Sequence, residues 1–162
     1  MANCNRRLHQ FAIATVCSTF ILIVAGSLVT SNDAGLSVPD WPLSHGKFMP
    51  EMSGGVFYEH GHRMVAAFVG IMTIVLALWI WKVESRAWVR LLGKAAAITI
   101  FFQAILGGIT VLFFLPTPVS IVHAFLAQLF FCIVICVAVV TSPTWINICK
   151  SGKYLQSRRT AT

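Results

Sequence analysis

Charged residues are scarce in this chain. Asp, Glu, Lys and Arg account for 10% of its 162 residues, whereas 57% are hydrophobic. Soluble domains carry about 25% charged residues, so this composition excludes an ordinary soluble globular protein. We therefore predict an integral membrane protein that lies in the inner (plasma) membrane of the cell.

Acidic residues are the scarcer of the two charge types. The chain has five Asp and Glu residues against twelve Lys and Arg residues, which gives a net charge of +7. Ten of the twelve basic residues lie in segments that flank apolar stretches on one side. Membrane topology explains this distribution better than nucleic-acid binding, because basic residues are enriched in cytoplasmic loops. We therefore expect no nucleic-acid partner.

Cysteine is missing from the one long polar connection, at residues 31–56. Cys4 and Cys149 fall on the side that the basic residues mark as cytoplasmic, and the other three cysteines lie in apolar stretches. This distribution argues against a structural disulfide, because disulfides form in oxidising compartments. The sequence also lacks a nucleotide-binding loop, a zinc-ligand spacing and a Ser-His-Asp order.

Four apolar stretches are each long enough to cross a bilayer, which takes about 20 residues. The predicted spans are 11–30, 57–81, 95–115 and 119–141. Basic residues precede the first span and follow the second and the fourth. The sequence therefore predicts an all-α integral membrane protein, a four-helix transmembrane bundle with both termini cytoplasmic. Its predicted parts are a cytoplasmic N-terminus at 1–10, a single transmembrane domain at 11–145 and a basic cytoplasmic tail at 146–162.

The polar connection at 31–56 contains one basic residue, Lys47, which places the connection outside the membrane. Three prolines restrict its backbone, and Trp41 combines an aromatic body with a polar N–H group. We expect an ordered cap at the membrane surface. We expect His45 to be an exposed imidazole rather than a ligand.

Ionisable residues open the second span in the run FYEHGHR at 57–63. Such residues are costly inside a membrane and are functional candidates. At about 100° per residue, Glu59, His62 and Arg63 share one helical face, whereas His60 turns away from it. That face also carries small residues, so we expect it to point into the bundle. His62 rather than His60 is then the imidazole that meets a partner or a cofactor.

A second histidine lies at a matching depth in the fourth span. Both spans run inward from the outer surface, and helical rise places His62 about 8 Å inside and His123 about 6 Å inside. Gly26, Gly107 and Gly108 of the other two spans lie in the same outer half. This layer leaves a slot for a planar macrocycle, so we predict that both imidazoles ligate a haem iron. The alternative is that each histidine forms an interhelical hydrogen bond.

Arg63 needs an anion nearby, and the sequence offers two candidates. Glu59, four residues earlier, would form a simple helix pair with it. A haem propionate would also satisfy it, and would leave Glu59 partly desolvated, as a proton-transferring carboxylate requires.

These motifs resemble those of the haem A synthases of aerobic bacteria and mitochondria. The E-x-x-H-R signature of that family is similar to GGVFYEHGHRMVAAFVG at 54–70, with Glu59, His62 and Arg63 in the matching places. Its first outer loop resembles GLSVPDWPLSHG at 35–46, and the end of its first helix resembles VTSNDAG at 29–35. The runs QAILGGITVL and IVHAFLAQ are similar to its third and fourth helices. The resemblance covers roughly residues 11–145.

The resemblance implies a membrane oxidoreductase that converts the C8 methyl group of haem O to a formyl group for cytochrome oxidase biogenesis. It implies that His62 and His123 ligate haem and that Glu59 is needed for the reaction. The implied ligands are haem O as substrate and a b-type redox haem. The implied protein partners are haem O synthase and terminal oxidase assembly proteins.

The chain departs from the family pattern in two places. Many members carry a cysteine pair in the outer loop, where this chain has Val38 and Ser44, so thiol redox chemistry in that loop is excluded. Members usually have two tandem four-helix halves, and this chain has one. We therefore expect self-association to supply a second haem site. The alternatives are a non-catalytic b-type haem-binding membrane protein, acting as an electron carrier or oxidase assembly factor, and an inactive half whose histidines merely pack.

Overall fold

Four long helices dominate the computed structural model, which describes residues 5–149 and 151. They are α1 (Arg6–Ser31), α2 (Gly54–Val83), α3 (Ala87–Leu112) and α4 (Thr117–Val140). Each packs against two others in the cyclic order α1, α2, α3, α4, and each is long and apolar enough to cross a membrane. The prediction of an all-α bundle of four membrane-spanning helices is confirmed. The protein is a multi-pass membrane protein.

The orientation of the bundle and its division into cytoplasmic and transmembrane parts stay predictions. We call the end that carries the connection between α2 and α3 the inner end, and the end that carries residues 32–53 the outer end. Cys4 and the four basic residues of the predicted tail, Lys150, Lys153, Arg158 and Arg159, lie outside the described residues.

The third helix begins earlier than its apolar stretch. It starts at Ala87 rather than at 95, because the basic residues of its first turns are helical too. Lys94 shows how a charge is accommodated there: its Nζ atom lies 4.3 Å from the centroid of the Trp81 ring on α2. A long side chain can lie along the helix and keep its ammonium group at the membrane surface. Hydropathy detects only the apolar part of such a helix.

The third helix also ends before its apolar stretch does. Its last residue is Leu112 rather than 115. Phe114 and Leu115 have φ angles of 57° and 56°, in the left-handed region where an α-helix cannot continue. The connection to α4 therefore starts at Phe113, three residues before the proline that marks it in the sequence.

The apolar core occupies the inner and middle parts of the bundle. Its inner cluster consists of Leu8, Ala12, Leu76, Ile80, Val89, Val137, Ala138 and Val140. A middle cluster consists of Val69, Ala96, Phe130 and Val134. Interior threonines between them donate their hydroxyl hydrogens to a carbonyl one turn earlier, as Thr73 does to Val69 O at 2.7 Å. Dispersion and apolar burial therefore hold the bundle together away from its outer end.

The connection between α1 and α2 folds back onto the outer end. Ala34 and Val38 are 1% and 0% exposed, so this segment is packed against the helices and does not extend into solvent. Ser44 and Lys47 exchange backbone hydrogen bonds of 3.0 Å and close a tight turn. The connection is ordered and packed on the helices, as its prolines predict.

Candidate functional site

Each of the two predicted ligand histidines lies against a glycine of a neighbouring helix. The His62 ring of α2 lies on Gly26 of α1, where a Cβ atom would come within 3.0 Å of Cε1. The His123 ring of α4 lies on Gly107 of α3, where a Cβ atom would come within 3.4 Å of Cε1. These glycines provide room for imidazole rings, because any other residue would fill it. The structure thus places both histidines and both glycines in one outer layer.

Unsatisfied polar atoms gather in this layer. The buried side-chain atoms that have no hydrogen-bond partner include Nδ1 of both histidines, Oε1 of Gln103 and Oγ of Ser120. A backbone carbonyl lies beside each ring, that of Leu22 by His62 and that of Gln103 by His123. An unpaired buried polar group costs about 1–3 kcal/mol, so a layer that carries several is suited to binding a ligand.

Arg63 is held by the outer connection. Its Nη1 atom donates to the carbonyl oxygens of Asp40 at 2.7 Å and Leu43 at 2.9 Å, and its Nη2 atom donates to that of Val38 at 3.0 Å. Nη2 also donates to Oε1 of Glu59 at 2.5 Å. The helix pair that the sequence offers as one alternative is therefore present. The loop carbonyls were not expected, and binding of a propionate by Arg63 stays a prediction.

Glu59 is buried between α2 and the connection. The residue is 4% exposed, and both carboxylate oxygens accept a hydrogen bond. Oε1 accepts from Arg63, and Oε2 accepts from the backbone N–H of Val38 at 2.8 Å. Hydrogen bonds from a cation and a backbone amide stabilise the ionised form of a carboxylate. Glu59 is thus fixed one turn outward from His62.

His60 does not lie on the outer surface of the bundle, and its direction relative to His62 stays a prediction. The residue is 5% exposed, and its Nδ1 atom lies 2.8 Å from Oγ of Ser44. Its Nε2 atom has no partner. Sequence reasoning missed this contact, because helical periodicity gives the direction of His60 but not the residue of the connection that covers it.

The connection is also braced internally. The Asp40 carboxylate accepts from the backbone N–H groups of His45 at 2.7 Å and Gly46 at 2.8 Å. The hydrogen bond from Gly46 holds the pKa of Asp40 below its ordinary value of 3.8. The His45 side chain is exposed, as predicted.

Gly108 contacts the connection rather than an open slot. A Cβ atom at Gly108 would come within 3.0 to 3.2 Å of three atoms of the Trp41 indole. Trp41 therefore covers the face of α3 next to the one that His123 covers at Gly107. The sequence predicts that both glycines line a cofactor slot; that role stays a prediction, and at Gly108 the indole is the neighbour.

The family model described as cytochrome oxidase assembly protein, COX15-CtaA, matches residues 3–135. The chain belongs to this family. The heme A synthase of Lysinibacillus sphaericus is 36% identical to it over 111 residues, and that of Alkalihalophilus pseudofirmus is 34% identical over 112 residues. Each match covers 67% of this chain but only 36% and 38% of the respective relative. The chain thus spans less than two fifths of the length of these relatives. No solved structure matches it.

Two residues of the connection contact α2. Val38 and Ser44 are both buried, at 0% and 1% exposure. Val38 donates its N–H to Glu59, and Ser44 contacts His60. The two positions therefore attach the connection to α2 through hydrogen bonds.

Proposed function

We propose that this chain is a haem A synthase-like membrane oxidoreductase, which converts the C8 methyl group of haem O to a formyl group during cytochrome oxidase biogenesis. The observation that carries the proposal is that the His62 and His123 rings each lie on a glycine of a neighbouring helix, with a buried Nδ1 atom that has no partner, in a member of the COX15-CtaA family. In this proposal the imidazoles of His62 and His123 would hold the iron of a haem, and Gly107, which contacts the His123 ring, would line its site.

The donor set suits a haem better than a bare metal ion. Among residues 5–149 and 151, no three His, Cys, Asp or Glu side chains are grouped so as to hold a metal ion. A haem needs only two protein ligands, because the porphyrin supplies four nitrogens of its own. The unpaired ring nitrogens of His62 and His123 meet that need. A haem bound there supplies an iron centre that changes its redox state.

Glu59 is the residue that we propose as catalytic. Oxidation of a methyl group to a formyl group would take its oxygen atom from water and release protons and electrons. The electrons would pass to the b-type redox haem and on to an external electron acceptor, and the protons require an acceptor near the reacting carbon. The Glu59 carboxylate is buried, and the hydrogen bonds that it accepts from Arg63 and from the N–H of Val38 fix its position. It lies one turn from His62 on α2. In this role Oε1 or Oε2 takes up the proton.

We further propose a homo-oligomer. The proposed haem site uses one pair of histidines, His62 and His123, whereas the reaction needs a site for haem O and a site for a b-type redox haem. A second copy of the chain supplies the second site. Haem O synthase and terminal oxidase assembly proteins are the proposed protein partners, since they deliver the substrate and use the product.

The proposed orientation places both termini in the cytoplasm and the connection between α1 and α2 outside. It is supported by the one-sided distribution of basic residues. Phe48 in the connection is 86% exposed, and Ser85 between α2 and α3 is also exposed. In a cysteine-free background, we expect a membrane-impermeant thiol reagent to label Phe48→Cys in intact cells and Ser85→Cys only after lysis. The reverse labelling pattern would show that the bundle has the opposite orientation in the membrane.

The function is tested by expressing the chain in a host that makes haem O but no haem A. Haems extracted from the purified protein are then separated by chromatography. We expect haem A or its alcohol intermediate. Unchanged haem would instead indicate a non-catalytic b-type haem protein, which uses the histidine pair without Glu59. A protein without bound haem would refute both.

A further inference from the structure

The outer connection is attached rigidly to α2 around the predicted ligand His62. We call residues 38–46 the cap. Glu59 binds the N–H of Val38, Arg63 binds three cap carbonyls, and His60 contacts Ser44. Because these contacts extend along the cap, the chain between them has little freedom to shift.

Trp41 extends from the cap to α3. It lies between Asp40 and Leu43, whose carbonyl oxygens both accept from Arg63. Its indole rests on Gly108, where a Cβ atom would come within 3.0 Å of Cδ2. The cap therefore bridges α2 and α3 at the outer end, with the indole as the bridging group.

The glycine that the Trp41 indole contacts is next in sequence to the glycine that the ring of His123, a predicted iron ligand, contacts. Gly107 and Gly108 are consecutive residues of α3, and they accommodate the His123 ring and the Trp41 ring respectively. Consecutive helical residues point about 100° apart, so the two rings lie on adjoining sides of one helical turn. Trp41 is 42% exposed, so part of its surface covers α3 and part remains open. A large rigid aromatic ring can cover a neighbouring site at a small cost in conformational entropy.

We propose that Trp41 is a positioning residue of the haem site. The indole contacts Gly108, and Arg63 holds the backbone on either side of it, so that the indole covers the outer end of the proposed haem site. It retains the macrocycle and shields it from water, while His62 and His123 hold the iron. This inference rests on the haem site of the proposed function.

The test measures the rate at which the purified haem-loaded protein loses haem to an excess of apomyoglobin. We expect Trp41→Ala to raise this rate about tenfold, and Trp41→Phe to restore most of the retention, because a planar ring still covers the opening. The low-spin absorbance spectrum should persist in both variants, since the two imidazoles remain. Thermal unfolding of the haem-free variants should match the wild type.

A substitution at Gly108 tests the contact between this glycine and the Trp41 indole independently. Gly108→Ala places a methyl group against the indole, and the Arg63-held cap prevents the indole from moving aside. We expect it to speed haem loss as Trp41→Ala does, and to add nothing when combined with Trp41→Ala. Gly70→Ala is the matched control, because a Cβ atom there meets nothing within 4 Å. It should leave the rate unchanged.

Several results would overturn the inference. A rate within about twofold of the wild type in Trp41→Ala would show that the indole retains nothing, since twofold is less than one aromatic contact contributes. A full Gly108→Ala effect in the absence of Trp41 would assign the glycine another role. A fall in the unfolding temperature of haem-free Trp41→Ala in parallel with haem retention would make the residue merely structural.

The failure of this inference can be told apart from the failure of the proposed function. Haem retention that depends on Trp41 without haem A formation would refute the proposed function alone, whereas a chain that binds no haem would refute both.

Discussion

The inner part of this bundle consists mainly of packed apolar side chains, whereas the outer part contains polar side chains and a hydrogen-bonded connection. The inner part is a closed apolar core in which the hydroxyl groups are satisfied locally, as at Thr141, which donates to Val137 O at 2.8 Å. The outer part has histidines and buried polar atoms without partners, covered by a hydrogen-bonded cap. The apolar core and the proposed haem site are thus separated along the length of the same four helices. A change in one part should therefore leave the other largely intact.

The largest expected effect is at the iron ligands. His62→Ala or His123→Ala should abolish the low-spin haem spectrum, because a bis-histidine site loses one of its two protein ligands. Helix content should change little, since the apolar core lies elsewhere. Absorbance and circular dichroism spectra of the purified variants measure the two effects.

His60→Ala is the matched control for these variants. It removes an imidazole from the same helix but from a different face, where the contact is with Ser44. The low-spin spectrum should survive. Loss of the spectrum with His60→Ala and its survival with His62→Ala would reverse the ligand assignment.

A core substitution should have the complementary effect. Leu76 is 1% exposed and belongs to the inner cluster, so Leu76→Ala should lower the free energy of unfolding by about 2–5 kcal/mol. The folded fraction should keep its haem spectrum. Denaturant titration in detergent, followed by both helix content and haem absorbance, measures this. A selective loss of haem by a fully folded Leu76→Ala protein would contradict the separation of the two parts.

A smaller effect is expected where the cap meets α2. Arg63→Lys keeps the charge but cannot reproduce the planar fork that reaches three carbonyls, so we expect a loss of about 1–3 kcal/mol in the local stability of the cap. Hydrogen exchange of the Val38, His45 and Gly46 amides should accelerate, with the helical amides of the inner part unchanged. Unaltered exchange at all three amides would show that Arg63 does not hold the cap.

Much of the fold follows from regular periodicity. The length of an apolar run predicts a membrane span, and helical rise places His62 and His123 at one depth before any contact is known. The same reasoning misses the first turns of α3, because Arg90 and Lys94 are charged although helical. Periodicity therefore identifies the layer but not all of the helix ends.

The contacts of the cap could not be predicted in this way. The cap has no regular repeat, so nothing in the sequence sets which of its residues meets which helix. That Trp41 rests on Gly108 and Ser44 contacts His60 depends on how the connection folds back. Of the hydrogen-bond partners of Arg63, Glu59 can be predicted from its spacing of four residues on the helix. The carbonyl groups of the connection cannot be predicted in this way.

Glu59→Gln tests the catalytic proposal most directly. Glutamine keeps the size of the side chain and an oxygen that accepts from Arg63, but its NH2 group cannot accept from the N–H of Val38 and its amide cannot serve as the proton acceptor. Arg63→Lys is the matched comparison, because it also disturbs the cap yet keeps the carboxylate. The measurement is the haem A content of each purified protein, relative to total bound haem, after expression in a host that supplies haem O. We expect Glu59→Gln to bind haem normally and form no haem A, while Arg63→Lys retains some formation. A Glu59→Gln protein that binds haem and makes haem A at near the wild-type rate would contradict the role of this carboxylate.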